Sequence, residues 1–297
     1  MKKISFARFG GPEVLRLVAA PEPHAGPGHV RIAVRAAGVN PADWRNREGQ
    51  FQAVRPVTLP AGIGQDAAGV VDEVGAGVTD VEIGDRVFGR GAETYAEFAV
   101  LTSWARIPGH LGFEEAAGYP SVVETALRIM AQVAVRPGQT LLVSGASGGV
   151  GSAVLQIARA RGITVIGTAG PANQDYLRSL GAVPMTYDDG WAERVRLLGR
   201  MDAALDLAGA GVIGELVALT GDPGKVVSIA DLDAPRFGVR FSGVGGSMTA
   251  ALAEAVALLS SGKLHIPVEK SYPLAEAAVA QADSQAGHTR GRRVITP

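Results

Sequence analysis

Two spacings of apolar residues divide this chain. In the first third they alternate: Val30, Ile32 and Val34 are interleaved with Arg31, Ala33 and Arg35, the pattern of a strand with one buried face. Short runs of strand character at 4–9, 29–36 and 69–74 are separated by proline and glycine, most densely over 21–28. Residues 82–89 read as a turn leading into another strand. This part predicts a compact β-barrel-like domain.

From about Glu114 the period lengthens. Helices are predicted over 114–118 and 122–133, joined around Pro120 and Ser121, with a turn at Pro137 and Gly138 before an apolar strand at 140–143. A glycine-rich turn follows, then a helix on which Val150, Val154 and Ile157 recur at i, i+4 and i+7. Strands at 163–167, 182–187, 203–207, 225–230 and 239–242 then alternate with helices at 171–180, 191–198 and 212–219, and a last helix spans 249–259. The alternation predicts a six-stranded parallel sheet of the doubly wound α/β type. A strand at 266–270, a helix at 274–282 and a strand at 293–295 are expected to return to the first domain.

The glycine-rich turn carries the first candidate chemistry. Small residues at Gly145, Ala146, Gly148 and Gly149 let backbone approach a ligand, and Gly151 lets the helix lie close on the strand. The first amides of a helix have no internal acceptor, so an anion is favoured there, and a pyrophosphate is the usual occupant. Ala146 replaces the first glycine of the Gly-x-Gly-x-x-Gly fingerprint, and glycine turns also serve as plain connections. The strand before, the helix after and the second strand on cue favour the nucleotide reading.

Composition narrows the classes. The 297 residues are 47% apolar and 19% charged, enough for a sizeable core in one large or two ordinary domains. A net charge of −1 gives no electrostatic footprint for nucleic acid or an acidic membrane. With no cysteine, disulfides, thiolate catalysis and cysteine-ligated zinc are excluded. The five histidines show no close metal-ligand spacing. No run reaches membrane-spanning length, and the charged start lacks a long apolar stretch, so a soluble cytoplasmic protein is expected.

Several segments together carry a resemblance. They are 36–43 (with Asn40 and Pro41), 64–75 (with Gln65 and Asp66), 84–89, 95–98, the glycine turn and 287–292. In this order they resemble the medium-chain dehydrogenase/reductase superfamily in its zinc-free quinone oxidoreductase branch, over essentially the whole chain. The fold implied is a doubly wound parallel-sheet Rossmann nucleotide domain plus a β-rich GroES-like barrel domain. The boundaries expected are 1–119 for the β-rich domain, 120–261 for the dinucleotide domain and 262–297 for the returning tail. Where the zinc-dependent relatives carry a cysteine ligand this chain has Asn40, and where they carry His-Glu it has Gln65 and Asp66. The four-cysteine zinc lobe is also missing, since Arg86 to Ala99 runs straight through.

Without a Lewis acid, the resemblance implies hydride addition to an electron-poor π system, a quinone or an α,β-unsaturated carbonyl. By resemblance Asn40 and Thr125 lie near the nicotinamide, flanked by backbone at Ala208, Gly209, Ile229 and Ala230, while Ser147, Gly148, Gly149 and Val150 hold the pyrophosphate. Thr125 also reads as a helix residue bonding its own backbone, and Asn40 as a turn residue before Pro41. Tyr95 and Arg45 are the candidate catalytic donors and Asp43 lies nearby, although a solvent proton suffices for this chemistry. Arg47 reads as a structural ion-pair partner.

No carboxylate follows the second strand until Asp175, so a ribose 2′-phosphate is not repelled and NADPH is expected over NADH. Gln174 stands where relatives place a basic residue, leaving Thr168, Asn173 and Tyr187 as neutral partners, with Arg161 and Arg178 close in sequence. The expected activity is NADPH-dependent reduction of a quinone, without zinc. Its alternatives are an alkenal or enoyl reductase of the same superfamily, or a non-catalytic NADPH-binding sensor. The expected partners are a small-molecule substrate and a second copy of the chain, paired through the edge strand at 239–242.

Overall fold

The structure, a computed structural model, describes every residue except Val244. The chain divides into two compact units. The first comprises Met1–Ser121, Met248–Ser260 and Ile266–Pro297; the second comprises Val122–Ser247 and Ser261–His265.

In the first unit six strands lie in the order Val268–Pro273, Arg292–Thr296, Val30–Gly38, Asp66–Val74, Arg86–Gly91 and Phe98–Arg106. Val30–Gly38 also pairs with Phe98–Arg106, so the last four strands close on themselves as a barrel. The alternation read from the sequence fills its interior: Val30, Ile32 and Val34 pack with Val71, Val87 and Leu101. A small antiparallel sheet orders Arg16–Ala19, Lys2–Phe6 and Ala61–Gly62. The strand expected over 4–9 stops at Phe6, and Phe9 instead turns back so that its ring tilts against Phe6 at 6.2 Å.

The tail adds the parallel pair Val268–Pro273 and Arg292–Thr296, the latter antiparallel to Val30–Gly38. The helix Met248–Ser260, read from the sequence as part of the stretch 120–261, falls in this first unit because it packs on the strand Phe98–Arg106. Helical periodicity reports that a face is buried; it does not report which sheet covers it.

The second unit is the parallel sheet. Its order is Val183–Met185, Thr164–Thr168, Thr140–Ser144, Ala203–Asp206, Val226–Ser228, Arg240–Phe241, with every neighbour parallel. Thr140–Ser144 is central, and the order reverses across it as doubly wound sheets require. Leu142, Ile166, Ala204, Leu216 and Val226 belong to one buried cluster, and all of Ala203–Asp206 is buried, as expected of a strand covered on both faces. The helix expected over 171–180 begins as a 3-10 turn, Pro171–Asn173, before the α-helix Gln174–Ser179. The edge strand shortens to Arg240–Phe241. No helix among the described residues is long and apolar enough to cross a membrane.

Candidate functional site

In the second unit, the turn after Thr140–Ser144 leads into the helix Gly149–Ala160. Gly145 has φ of +79°, a conformation side chains resist, and a β-carbon there would lie 3.2 Å from the Ala208 amide nitrogen. At Gly151 a β-carbon would stand 2.5 Å from the Ala146 carbonyl oxygen, so helix and turn can approach only because it is absent. Gly148 caps the helix with no side-chain hydrogen bond, and a β-carbon there would meet nothing closer than 3.7 Å. The amides of Gly149, Val150 and Gly151 therefore face an open, positively polarised turn suited to a pyrophosphate. Around it, Ser152 Oγ pairs with Tyr176 OH at 2.8 Å, and Asn173 Nδ2 donates to Ser147 Oγ at 3.4 Å.

The end of the second strand carries no carboxylate before Asp175. Thr168 is buried and its carbonyl accepts from the Ala146 amide at 3.0 Å. Gln174 spends its Nε2 on the carbonyls of Ala169, Gly170 and Met185, so it braces the turn. Tyr187 is half exposed beside Gly170. Arg178 pairs with Asp175 on the surface, and Arg161 is exposed at the far end of the helix Gly149–Ala160.

The loops expected beside the nicotinamide share one anchor that the sequence reading missed. Asp206 is fully buried; its Oδ1 accepts from the amides of Ala208 (3.2 Å) and Gly209 (3.0 Å), and its Oδ2 from Ser228 Oγ (2.7 Å). Ser228 Oγ in turn accepts from the amides of Ala230 (3.1 Å) and Asp231 (2.9 Å). One carboxylate thus shapes both loops. The visible signal was a lone acid closing the apolar run Ala203, Ala204, Leu205.

Thr125 belongs to a second polar group on the helix Pro120–Gln132. Glu124 and Arg128 form an ion pair at 2.8 Å with both side chains 7% exposed. Arg128 also donates to Thr125 Oγ1 (3.3 Å), to the Ser242 carbonyl (3.1 Å) and to Ser242 Oγ. The Thr125 hydroxyl is therefore held by side chains of its own helix, and the pair ties that helix to the end of the edge strand.

In the first unit Asn40 begins the helix Pro41–Arg47 with its amide side chain fully engaged. Its Nδ2 donates to Asp66 Oδ2 at 3.0 Å and its Oδ1 accepts from Arg292 Nη2 at 2.8 Å. Asp66 also accepts from the Ser121 amide (3.1 Å) and from Ser121 Oγ (2.6 Å). Burial pulls the Arg292 guanidinium below its usual range, while the charge of Asp66 supports it. Asp43 Oδ2 accepts from the Asn40 amide and from Tyr95 OH, each at 2.9 Å.

One donor assignment changes with this geometry. Tyr95, expected as a catalytic donor, is 0% exposed, with its hydroxyl spent on Asp43. Burial and that carboxyl push the phenol well above its ordinary range, so it positions the start of the helix Pro41–Arg47 instead of meeting substrate. Arg45 is half-buried with its guanidinium over the Trp44 ring, 5.2 Å from the centroid. Arg47 is fully buried and joins Gln281 Oε1, the Gly10 carbonyl and Glu48, a structural role as expected.

The donor set does not fit a zinc ion. Asn40 and Gln65 offer neutral amides, Asp66 has committed both oxygens, and the Arg292 guanidinium places positive charge against the same amide. The dinucleotide cradle does fit its group, because the uncapped amides and the absent β-carbons leave room and polarity for a diphosphate.

Known proteins resemble this chain in sequence and in fold. Residues 26–136 match the alcohol dehydrogenase GroES-like domain, and 180–295 match the zinc-binding dehydrogenase family. The chloroplastic NADPH-dependent alkenal/one oxidoreductase of Arabidopsis thaliana is 31% identical, over 100% of this chain and 80% of that protein. The quinone oxidoreductase structure from Coxiella burnetii is similar with a TM-score of 0.86 at 31% identity, covering 100% of this chain and 99% of that one. A mycobacterial protein solved in complex with NADPH gives 0.85 at 31% identity, covering all of both chains. The chain spans 53% of the rat quinone oxidoreductase and 8% of a Streptomyces venezuelae polyketide synthase component that it also matches. With a relative matched over the whole of this chain and 80% of its own length, and with the fold shared end to end, the chain belongs to the medium-chain dehydrogenase/reductase superfamily, in its quinone oxidoreductase-like branch.

Proposed function

We propose that the protein is an NADPH-dependent reductase of quinones or α,β-unsaturated carbonyls, working without zinc. The observation that carries this reading is the open amide turn at Gly149–Gly151 in one sheet with the Asp206-shaped loops, at a second-strand end that bears no carboxylate. Relatives named for quinone reduction and for NADPH-dependent alkenal/one reduction support it, and the likeness to the latter over the whole of this chain favours enals and enones as a second reading.

NADPH, when bound, supplies hydride to the acceptor carbon. For an enal the hydride would add at the β-carbon, the C=C electron pair shifting to the bond between the α-carbon and the carbonyl carbon and the C=O pair onto oxygen, and the enolate would take a proton from solvent at the α-carbon. The chain's own part is to hold the reactants and keep water from competing. The turn at Ser147 to Val150 binds the diphosphate, and Thr168 and Tyr187 accommodate the ribose phosphate without repulsion. Ala208, Gly209, Ile229 and Ala230 present backbone, ordered by Asp206 and Ser228, to the nicotinamide. By the family resemblance Thr125 is assigned to that end of the nucleotide, and in the first unit Asn40, fixed between Asp66 and Arg292, is assigned to the nicotinamide and Arg45 to the developing oxyanion.

Following nucleotide absorbance against a panel of quinones and enals tests this. NADPH is expected to be consumed faster than NADH, and a failure to consume either nucleotide with any acceptor in the panel would leave a nucleotide sensor. Gly151→Val should abolish NADPH binding and cost about 2–3 kcal/mol of stability, because the Ala146 carbonyl cannot retreat from the added carbons. We also propose a cytoplasmic homodimer paired through the edge strand Arg240–Phe241, whose outer side has no partner strand among the described residues. Light scattering should give twice the chain's 30.5 kDa, and a monomeric mass rejects that pairing.

A further inference from the structure

Four enclosed arginines of this chain meet carboxylates, Arg31 with Asp72, Arg47 with Glu48, Arg128 with Glu124 and Arg293 with Glu269, while the buried Arg292 donates to the Asn40 amide oxygen. Arg55 and Arg90 are arranged differently. Arg90 Nη2 donates to Gln65 Oε1 at 2.6 Å, and Arg55 Nη1 donates to the same oxygen at 3.2 Å. The two guanidiniums are therefore within about 6 Å of each other, and neither makes an ion pair with a carboxylate among the described residues. Arg90 is half-buried and Arg55 is exposed, and each guanidinium carries five donors and spends one on this oxygen, so the remaining donors are open to solvent or to a ligand that displaces it.

The obvious counter-ion is already occupied. Asp66 lies opposite Arg90 in the pairing of Asp66–Val74 with Arg86–Gly91, but its oxygens serve Asn40 and Ser121. Gln65 is 6% exposed, so the oxygen on which the arginines meet is built into the fold. The segment bearing Arg55 is also built. The Arg55 amide donates to the Phe51 carbonyl at 2.7 Å, and the Gln52 side chain both donates to and accepts from Val57 backbone. Two like charges held together on a neutral oxygen repel each other, and an oxyanion relieves that repulsion while filling both forks.

We propose that Arg55 and Arg90, seated on Gln65, form a subsite for an oxyanion. The acceptor this protein reduces then carries a carboxylate or similar group away from its reactive double bond. The acceptor part rests on the reductase reading above; the oxyanion site does not. Gln65 adjoins Asp66 and so links the subsite in sequence to the Asn40 network, which places substrate charge recognition on the same first unit.

Two measurements test it. In the first, the full-length protein is titrated with suberate by calorimetry without nucleotide. Binding is expected, and the Arg55→Gln/Arg90→Gln double variant should weaken it at least tenfold, with single Arg55→Gln intermediate. No binding to the wild type, or equal binding to the folded double variant, overturns the proposal. In the second, kcat/KM is compared for 8-oxooct-6-enoate and its methyl ester with NADPH. The acid should be preferred about tenfold or more, mainly through KM, with the preference falling toward unity in the double variant and surviving in Arg236→Gln. Reduction of both at equal kcat/KM overturns the acceptor assignment and leaves the reductase reading standing. Suberate binding that depends on the two arginines, with neither compound reduced, supports the oxyanion site, overturns the acceptor assignment and removes the enal and enone reading.

Discussion

Asp206→Ala is expected to cost about 3–5 kcal/mol of folding stability and to weaken NADPH binding about tenfold or more. Three donors lose their acceptor at once: the amides of Ala208 and Gly209, and the Ser228 hydroxyl. The carboxylate is fully buried, so its removal leaves those groups without water to replace it. Ser228 then has no reason to hold its oxygen toward the amides of Ala230 and Asp231, and the second loop loosens with the first. Ordering both loops becomes a cost of binding the nucleotide, which is why affinity falls with stability. Asp206→Asn should fall between. Its carbonyl can still accept from the two amides, but its NH2 would face a serine oxygen that already takes two donors. Thermal melting with and without NADPH reads both effects, and the apo midpoint should drop by roughly 10 °C. An unchanged midpoint with unchanged affinity would remove Asp206 from its role.

The second large effect is a pH dependence centred on Asp43. Its carboxyl is pushed up to about 7, first by burial, against the opposing hydrogen bonds from the Asn40 amide and Tyr95. Oδ1 is buried with no hydrogen-bond partner, so the charged form is incompletely compensated. The sign follows from proton counting. Between an unfolded value near 4 and about 7, the folded protein binds more protons than the unfolded chain, so stability declines as pH rises through that window and levels above it. The full loss is on the order of 4 kcal/mol, more than half of it above pH 5. Asp43→Asn keeps an acceptor for the Asn40 amide and for Tyr95 but cannot ionise. Denaturant melts of wild type and Asp43→Asn from pH 5 to 8 should diverge, with the variant the more stable at pH 8. Tyr95→Phe removes one bond to the charged form and should move the upper edge of the window to higher pH. Parallel curves for wild type and Asp43→Asn would show that the carboxyl does not titrate there.

Much of the fold was legible because it rests on repeating local demands. Alternation at Val30, Ile32 and Val34 needs only a pleat with one buried face, and the period-3.6 run from Val150 to Ile157 needs only a helix over a sheet. Short strands were placed less accurately. Residues 239–242 and 182–187 shrink to Arg240–Phe241 and Val183–Met185, because pairing length depends on neighbours the local pattern does not name. Among site residues, the glycines and the neutral strand end were readable, since each expresses a backbone or charge requirement at a fixed offset from a strand. The donors were not. Tyr95 looked available in sequence and is sealed against Asp43, while Asp206, Arg292 and Ser228 carried no motif that marked them.

The sequence alone determined the alternation of strands and helices in the second unit, the glycine turn that opens its central helix, and the absence of every thiolate ligand, since each follows from residue type and spacing over a few positions. Only the tertiary structure decided which sheet takes the helix Met248–Ser260, which buried carboxylate shapes the nucleotide loops, and which arginines meet on Gln65. Those outcomes depend on side chains tens to hundreds of residues apart competing for the same buried partners, and hydrogen-bond satisfaction in a closed interior is settled among all of them together.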